Sequence, residues 1–213
     1  MVSRLNAFLF VFYCNILSLM FAEGNVDPRC SHIIFPCPNV FTSVSNPPII
    51  GVSLDDQSRA IATETIINSI DGLIMGEAIT DESGFWTYAL TRDQALSEGL
   101  HTISAFATKS GVTLPSISFT VDTIAPPAPT INSPQDGDVL AGPTVTINGR
   151  TEPLASILIF LDSIVQGYIY ADDQGIWSYT YDVDLGLHTV HAQAIDLALN
   201  EGPHSATVQF TIV

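Results

Sequence analysis

The chain has 213 residues, and its 22 acidic residues outnumber its six lysines and arginines, which gives a formal net charge of −16. Such a charge repels nucleic acids and anionic lipid surfaces, so neither is expected as a partner. Charged residues make up 13% of the chain and hydrophobic residues 46%, which is the composition of a folded chain. Val, Ile, Thr, Ser, Gly and Pro are plentiful, and this favours an all-β fold.

The N-terminus has the layout of a secretory signal peptide. Arg4 precedes an apolar run from Ala7 to Phe21, and Ala22 offers a cleavage site. The alternative is a permanent membrane anchor, but the run of about 15 residues is short for the roughly 20 that a spanning helix needs. We therefore predict a signal peptide at residues 1–22, no other transmembrane anchor, and a location outside the cell or on its surface.

Two cysteines remain after the predicted cleavage. Cys30 lies in a short N-terminal segment, residues 23–32, and Cys37 follows it. Export brings both into a compartment where disulfides persist, and a bond across their short loop would stabilise the fold by roughly 2–3 kcal/mol. We predict a disulfide between them. The alternatives are two free thiols, or a weak metal pair with His32, which would be an incomplete ligand set.

The rest of the chain contains one sequence pattern twice. DESGFWTY at 81–88 returns as DDQGIWSY at 172–179, which is an offset of 91. The pairs matched at this offset include Arg59 and Arg150, Asp71 and Asp162, Gly76 and Gly167, Trp86 and Trp177, and Tyr88 and Tyr179. GLHT at 99–102 returns at 186–189 with an offset of 87, because the first copy has four extra residues in the turn TRDQALSE. Length differences in turns are typical of a repeated scaffold with variable loops.

Each copy consists of short segments in which apolar and polar residues alternate, such as ISFTV at 117–121. This alternation is typical of strands with one buried face. Six or seven such segments in about 85 residues, separated by Gly- and Asp-rich turns, predict a β-sandwich. We expect one sandwich at residues 33–121 and another at 130–213. The three prolines of residues 122–129 predict a short, stiff linker between them.

Five motifs carry a family likeness, in the order VDTIAPPAP, VTINGRTEPLASILIFLD, ADDQGIWSY, LGLHTVHAQAID and ATVQFTIV. With these motifs the second copy resembles the bacterial immunoglobulin-like (BIg) domains found in tandem in large surface proteins and adhesins. The likeness covers residues 122–213 closely and 33–121 more loosely, because the opening of the first copy, FPCPNVFTSVSNPPIIGVSLDD, is shortened. It implies an all-β chain of two tandem immunoglobulin-like β-sandwich domains. Family members serve as stalks, spacers and binding tips, so the fold alone does not choose a function.

Residues that could carry chemistry have structural interpretations. Trp86 and Trp177 share strand faces with apolar neighbours and are predicted to be core residues, the alternative being platforms for stacking sugars. His101 and His188 occupy equivalent positions and are predicted to be structural, bonded near a strand end. The sequence contains no nucleophile-elbow motif, no HExxH and no Gly-rich phosphate loop, so we expect no enzyme.

The family resemblance also implies calcium, because its tandem domains in adhesins often bind calcium at their junctions. It implies three ligands, namely Asp122 at the linker, and Asp196 and Asn200 in the loop IDLALN. Calcium takes six to eight oxygen ligands, and extracellular sites bind it weakly. The loop departs from the family pattern, since Leu199 stands where Gly is usual and the first copy has Lys109 in its loop. The alternative is that these are solvated turn residues, so we expect no cofactor beyond a weak structural Ca²⁺.

Together these features predict a non-enzymatic exported repeat protein that acts as a cell-surface or secreted adhesion or spacer module. The alternatives are a specific glycan- or protein-binding module, and an accessory stalk fragment of a larger surface protein or secreted enzyme. The chain stops directly after its last predicted strand, FTIV, so we expect either a complete secreted protein or such a fragment. The expected partner is a protein or glycan on another surface, and the acidic charge predicts a monomer.

Overall fold

The computed structural model describes residues 31–213. These residues divide into two compact units, and the boundary lies between Asp122 and Thr123. The predicted signal peptide and Cys30 lie outside the described residues, so both stay predictions. In the described part of the chain, no helix is both long enough and apolar enough to cross a membrane.

The first unit is built from nine strands and one turn of 3-10 helix, Arg92–Gln94. The strands are β1 (His32–Phe35), β2 (Phe41–Thr42), β3 (Ile49–Val52), β4 (Thr65–Ile70), β5 (Leu73–Ile79), β6 (Phe85–Tyr88), β7 (Gly99–Ala107), β8 (Val112–Thr113) and β9 (Ile117–Val121). They form a three-stranded sheet of order β1-β3-β6 and a larger sheet of order β2-β9-β7-β4-β5, with β8 paired to β7. Two packed sheets make this unit a β-sandwich.

The second unit repeats the arrangement with nine strands. They are β10 (Thr130–Ser133), β11 (Asp138–Leu140), β12 (Thr144–Arg150), β13 (Ser156–Leu161), β14 (Ile164–Tyr170), β15 (Ile176–Asp182), β16 (Gly186–Ile195), β17 (Glu201–His204) and β18 (Val208–Ile212). The sheets have the orders β10-β12-β15 and β11-β18-β16-β13-β14, with β17 paired to β16. The predicted all-β fold of two β-sandwiches is thereby confirmed.

The core of each unit forms between its two sheets. In the second unit β13 alternates fully, with Ile157, Ile159 and Leu161 buried and the residues between them partly exposed. The neighbouring strand β16 turns Val190 and Ala192 to the same core. Period-2 alternation therefore sends one face of the large sheet inwards and leaves the other in contact with solvent.

A tryptophan anchors each core, as the sequence predicts. Trp86 and Trp177 are each 2% exposed. Trp86 pairs across the small sheet with Gly51, and Trp177 pairs with Gly149. A Cβ at Gly149 would lie 1.8 Å from the Thr130 carbonyl oxygen and 2.7 Å from the Trp177 ring. The indole therefore packs against a backbone position that has room only for glycine, and the interpretation of both tryptophans as core residues is confirmed.

The repeated glycine and tyrosine pairs hold a β-bulge in place. The pairing of β4 with β5 shifts register beside Gly76, and the pairing of β13 with β14 shifts beside Gly167. The Tyr88 hydroxyl crosses from the small sheet and donates to the Met75 carbonyl oxygen at this bulge. Tyr179 donates in the same way to the carbonyl oxygen of Gln166, at 3.3 Å. Each tyrosine thus joins the two sheets of its unit.

The register of the opening strands corrects the alignment of the two copies. Gly51 and Gly149 both face the buried tryptophan, so the opening strands match at an offset of 98. Twelve residues, 53–64, separate β3 from β4, whereas five, 151–155, separate β12 from β13. The first copy is therefore not shortened at its opening. It contains counterparts of all three opening strands, followed by seven extra residues.

The matching of Arg59 with Arg150 was wrong for the same reason. Arg59 lies in the longer loop, where its Nη2 is 2.8 Å from Asp55 Oδ2. Arg150 is the last residue of β12 and pairs with Ile176. If one offset is applied on both sides of an insertion, the residues on one side are matched wrongly. The sequence does not mark where β3 ends, so it does not show that an insertion follows.

Candidate functional site

The outer face of the large sheet in the second unit gathers aromatic side chains from four neighbouring strands. Phe160 of β13 pairs with Val165 of β14 and with His191 of β16. Because paired residues point to the same side of a sheet, all three lie on the face opposite the core. We call this surface the aromatic face. Its members are Leu158, Phe160, Val165, Tyr168, Tyr170, His191, Gln193 and His204.

The rings on this face contact one another. Phe160 stacks on His191 with ring centroids 4.7 Å apart and an interplanar angle of 9°. His204, on β17, meets Phe160 edge-on at 5.1 Å. Tyr168 and Tyr170 lie 6.0 Å apart in a T-shaped pair. These separations are typical of favourable aromatic contacts, so the side chains support one another in fixed orientations.

The eight members of the aromatic face include no Lys, Arg, Asp or Glu, and Glu201 of β17, which pairs with Ile195, lies beside them. Tyr168 is 63% exposed, Tyr170 69% and Val165 52%. Residues 123–213 contain ten Asp and Glu and one Arg, so the uncharged face belongs to an acidic unit. A centre rich in Tyr and Phe and depleted of charge, within a charged surround, is the composition that distinguishes the core of a binding interface.

The first unit has a different surface at the same positions of its large sheet. Ser69 stands where the second unit has Phe160, and Ser104 where it has His191. Glu77 occupies the position of Tyr168, and Thr113 that of His204. The cores of the two units repeat, whereas this face does not. The aromatic face is therefore not required by the fold, and we take it as the candidate functional site.

The residues that the two copies share do not reveal this face. A binding surface confined to one copy is found among residues that differ between them. The signal was available in IVQGYIY, residues 164–170, where exposed aromatic residues replace the glutamate-containing LIMGEAI of the first copy. The sequence alone does not show that these aromatic residues are exposed, because the strand boundaries and registers decide whether a side chain points inwards or outwards.

The two repeated histidines are structural, as predicted. His101 Nδ1 lies 2.7 Å from Asp71 Oδ2, and His188 Nδ1 lies 2.8 Å from Asp162 Oδ2. The second nitrogen of His188 faces the carbonyl oxygen of Asp184 at 2.9 Å. These bonds tie the end of the long strand to the turn of the neighbouring hairpin, so neither imidazole is available for chemistry.

The electrostatics of the second pair follow from its bonds. The hydrogen bond to Asp162 raises the pKa of His188 above its ordinary value, against the effect of burial. Burial acts to raise the pKa of Asp162, but the hydrogen bonds from His188 and from the Thr189 backbone outweigh it and leave that pKa lowered. Both shifts favour the charged pair.

The residues predicted as calcium ligands are distributed over the two units. Asp122 ends the first unit, and Asp196 and Asn200 lie in the loop after β16 of the second. Asp196 is buried, and its two carboxylate oxygens accept hydrogen bonds of 2.8 Å from the backbone and side-chain nitrogens of Asn200. Within residues 31–213, no cluster of three or more His, Cys, Asp or Glu side chains is arranged to hold a metal ion.

Cys37, the second of the two cysteines predicted to pair, is buried and disulfide-bonded. Its expected partner, Cys30, lies outside the described residues, and the Cys30–Cys37 pairing stays a prediction. His32, the alternative metal partner, is in β1.

No protein-family model matches the sequence, and no curated protein matches it. The fold is similar to that of the fibronectin(III)-like modules of Clostridium thermocellum CbhA, with a TM-score of 0.59 and 14% identity, covering 85% of this chain and 93% of that one. It is also similar to the chicken CNTN1 FN1-FN3 domains, with a TM-score of 0.50 and 11% identity over 82% of this chain and 62% of that one. A marsupial T cell receptor gives a TM-score of 0.50 at 8% identity, over 86% of this chain and 72% of that one. At these identities the likeness shows the fold, which is that of fibronectin-III and immunoglobulin-like β-sandwiches.

Proposed function

We propose that this chain is a non-enzymatic exported immunoglobulin-like repeat protein, of the bacterial surface-protein and adhesin type, and that it contacts its partner through the aromatic face of its second unit. The observation that carries the proposal is the exposure of Tyr168 and Tyr170 on a sheet face whose counterpart in the first unit lacks them. The first unit then acts as a spacer. The role outside the cell rests on the predicted signal peptide at residues 1–22.

The energetics of the two tyrosines are adequate for such a contact. A tyrosine buries roughly 150–250 Å² when fully covered, so two that are about two-thirds exposed offer roughly 260 Å² between them. At about 25 cal/mol per Å² this corresponds to roughly 6 kcal/mol before the cost of association. Because the rings already contact each other, little side-chain entropy is lost when a partner covers them.

The non-enzymatic assignment is supported by the sequence, which contains no nucleophile-elbow motif, no HExxH and no Gly-rich phosphate loop, and by the likeness of the fold to fibronectin(III)-like modules. A glycan and a protein both suit an uncharged aromatic surface, and both are partners that the sequence predicts. The role of an accessory stalk in a longer surface protein or enzyme is the remaining alternative. Glycan binding, protein binding and the stalk role can be distinguished by the kind of coated surface that retains the chain.

The test is a solid-phase attachment assay on wells coated with neutral polysaccharides, charged polysaccharides and extracellular matrix proteins. The variant Y168S/Y170S removes the aromatic side chains. The variant I74S/I79S is the matched control, because Ile74 and Ile79 occupy the positions of Val165 and Tyr170 on the equivalent edge strand and are also exposed. We expect attachment to at least one coating, a loss of roughly tenfold or more in the tyrosine variant, and no loss in the control.

The class of coating that retains the wild-type chain identifies the partner as glycan or protein. Equal attachment of the two variants would contradict a role for the aromatic face. A wild-type chain that attaches to no coating would favour the pure spacer. Both variants change exposed side chains, so their melting temperatures should match that of the wild type and exclude unfolding as the cause.

A further inference from the structure

Two histidines on the aromatic face lie close enough together to share one ligand. His191 belongs to β16 and His204 to β17, and these strands pair beside them, with Gln193 opposite His204. The two imidazole rings have centroids 5.0 Å apart and planes at 68°. Phe160 packs against both of them, stacked on one and edge-on to the other. From this geometry we propose that His191 and His204 form a two-histidine site for a transition-metal dication, with Zn²⁺ and Ni²⁺ as the defining probes.

The ring separation fits a shared metal ion. An imidazole nitrogen binds Zn²⁺ at about 2.1 Å, and a ring nitrogen is about 1.1 Å from its ring centre, so each centre lies about 3.2 Å from the metal. Two arms of about 3.2 Å whose ends are 5.0 Å apart enclose an angle of about 103°. This is close to the tetrahedral angle that zinc prefers. The centroid separation therefore permits a shared metal ion, provided that each ring rotates about its Cβ–Cγ bond to aim one nitrogen at it and His191 gives up part of its stacking on Phe160.

The nitrogens of this pair differ from those of the structural histidines in what they contact. Both nitrogens of His188 are held by hydrogen bonds, to Asp162 and to Asp184. Among residues 31–213, neither His191 nor His204 makes a side-chain hydrogen bond, and both rings contact aromatic rings. The lone pairs that a metal requires are thus not committed to other protein groups, while Phe160 limits the positions the rings can take.

The protonation state of His191 and the negative charge of the second unit both favour the binding of a metal cation. Burial, followed by the neighbouring His204, lowers the pKa of His191, which is the direction that favours the neutral imidazole. The surrounding unit, with ten acids and one arginine, attracts dications. Imidazole is a ligand suited to Zn²⁺, Ni²⁺ and Cu²⁺ and less to Ca²⁺ or Mg²⁺, so this site is distinct in chemistry from the predicted calcium ligands.

Two protein ligands leave coordination positions that water fills, so the site is open rather than closed. The first unit provides an internal comparison, since Ser104 and Thr113 stand at the positions of His191 and His204. It should bind no metal there. The inference does not depend on the adhesion role, because it concerns a metal ion and not a macromolecular partner.

The experiment is isothermal titration of the full chain with ZnCl₂ and with NiCl₂, together with NMR of the histidine ring protons. We expect one site per chain, with resonances of His191 and His204 shifted and those of His188 unchanged. H191Q and H204Q should each weaken binding roughly tenfold or more, because each removes one of two ligands. Lowering the pH below about 6 should also weaken it, because imidazolium cannot bind a metal.

The matched control is S104A, which changes the position equivalent to His191 in the first unit. It should leave the affinity unaltered, and Y168S/Y170S should do the same, which separates this site from the proposed contact role of the tyrosines. The proposal is overturned if about 1 mM metal produces neither heat nor ring shifts, or if H191Q and H204Q bind as the wild type does. Melting curves of both glutamine variants without metal verify that they are folded.

Discussion

Glu64 is completely buried, and its Oε1 accepts a hydrogen bond of 2.8 Å from the backbone nitrogen of Ser110. Its other carboxylate oxygen bonds to the hydroxyl of Ser53. The carboxylate thereby fastens the loop after β7 to the start of β4. A buried charge is costly unless it is hydrogen-bonded in this way, so the arrangement has a specific structural purpose.

The second unit also has a buried, hydrogen-bonded carboxylate near this loop, but it comes from a different residue. Ala155 stands at the position of Glu64, directly before β13, and Asp196 stands at the position of Lys109. Asp196 is buried and accepts from the backbone nitrogen of Asn200, so there the loop supplies its own carboxylate. The two units thus obtain a buried carboxylate at this loop from different positions, Glu64 before β4 in one and Asp196 within the loop in the other.

This difference predicts a rescue. Glu64→Ala should destabilise the first unit by about 2–4 kcal/mol, because Ser53 and the Ser110 N–H lose a charged partner. Adding Lys109→Asp should restore at least about 1 kcal/mol of this, because an aspartate in the loop can then act as Asp196 does. The measurement is denaturant unfolding followed by the fluorescence of Trp86. Glu82→Ala, an exposed change, is the control, and a double variant no more stable than Glu64→Ala would refute this expectation.

The same carboxylate should shape the acid stability of the first unit. Burial acts to raise the pKa of Glu64, but the hydrogen bonds from Ser53 and Ser110 outweigh it and leave the pKa lowered. A lowered pKa in the folded state contributes stability above the ordinary pKa and loses it as pH falls through the folded value. The unfolding free energy of the wild type should therefore fall in acid more steeply than that of Glu64→Ala.

The pair of Asp162 and His188 predicts a second pH dependence of stability, in which the unfolding free energy falls as the pH rises. Because the pKa of His188 is raised from 6.5, its contribution is fully present below about that pH and is lost as pH rises through the folded value. The Asp162 side chain is 44% exposed, so screening keeps the effect below about 1 kcal/mol. D162N should remove this dependence.

The comparison between D162N and the wild type isolates the pair. His191 has a lowered pKa, so its own contribution changes with pH in the opposite sense and is common to both proteins. The quantity to measure is the unfolding free energy of the second unit between about pH 5 and 9, followed by the fluorescence of Trp177. Parallel curves for wild type and D162N would mean that the pair does not carry the dependence.

The calcium ligands implied by the family resemblance have a direct test. We expect the melting temperature to be the same in millimolar calcium and in chelator, because both carboxylate oxygens of Asp196 already accept hydrogen bonds from Asn200. Differential scanning calorimetry measures this. A rise of several degrees in calcium, lost on substituting Asp122 or Asp196, would instead establish the weak Ca²⁺ site.

Export and the disulfide are tested together by the mass of the native protein. From a chain of 22.9 kDa, removal of residues 1–22 leaves a species of about 20 kDa beginning at Glu23. The Cys30–Cys37 bond lowers its mass by about 2 Da and blocks alkylation until a reductant is added. The measurement is intact-mass spectrometry of medium, surface and cytosolic fractions. A cytosolic species would contradict export, and a much larger exported species would favour the accessory stalk of a longer protein.

Much of the scaffold was predictable from the sequence because repetition reveals what a fold needs. Trp86 and Trp177, and the two histidines with their aspartates, recur at fixed offsets because they hold the core and the strand ends. The alignment of the opening strands was not predictable, because the insertion after β3 changes the offset between the copies and the sequence around Gly51 does not show which tryptophan it faces.

The candidate site was not predictable by the same route. Phe160, Tyr168 and His191 are far apart along the chain and come together only through the registers of β13, β14 and β16. A slip of one residue in any of these strands would turn its side chains into the core. The two buried carboxylates, Glu64 and Asp196, were not predictable as a pair either, since they lie in different segments of the two copies.

Tyrosine footprinting gives the most direct test of the central claim, that the aromatic face makes the contact. Nitration is compared for the free chain and for the chain attached to the coating that retains it, and the modified residues are identified by peptide mass spectrometry. We predict that Tyr168 and Tyr170 react readily in the free chain and are protected on attachment, while Tyr179, whose hydroxyl is bonded within the sandwich, reacts little in either state. Equal nitration of Tyr168 and Tyr170 in the free and attached chains would contradict the account.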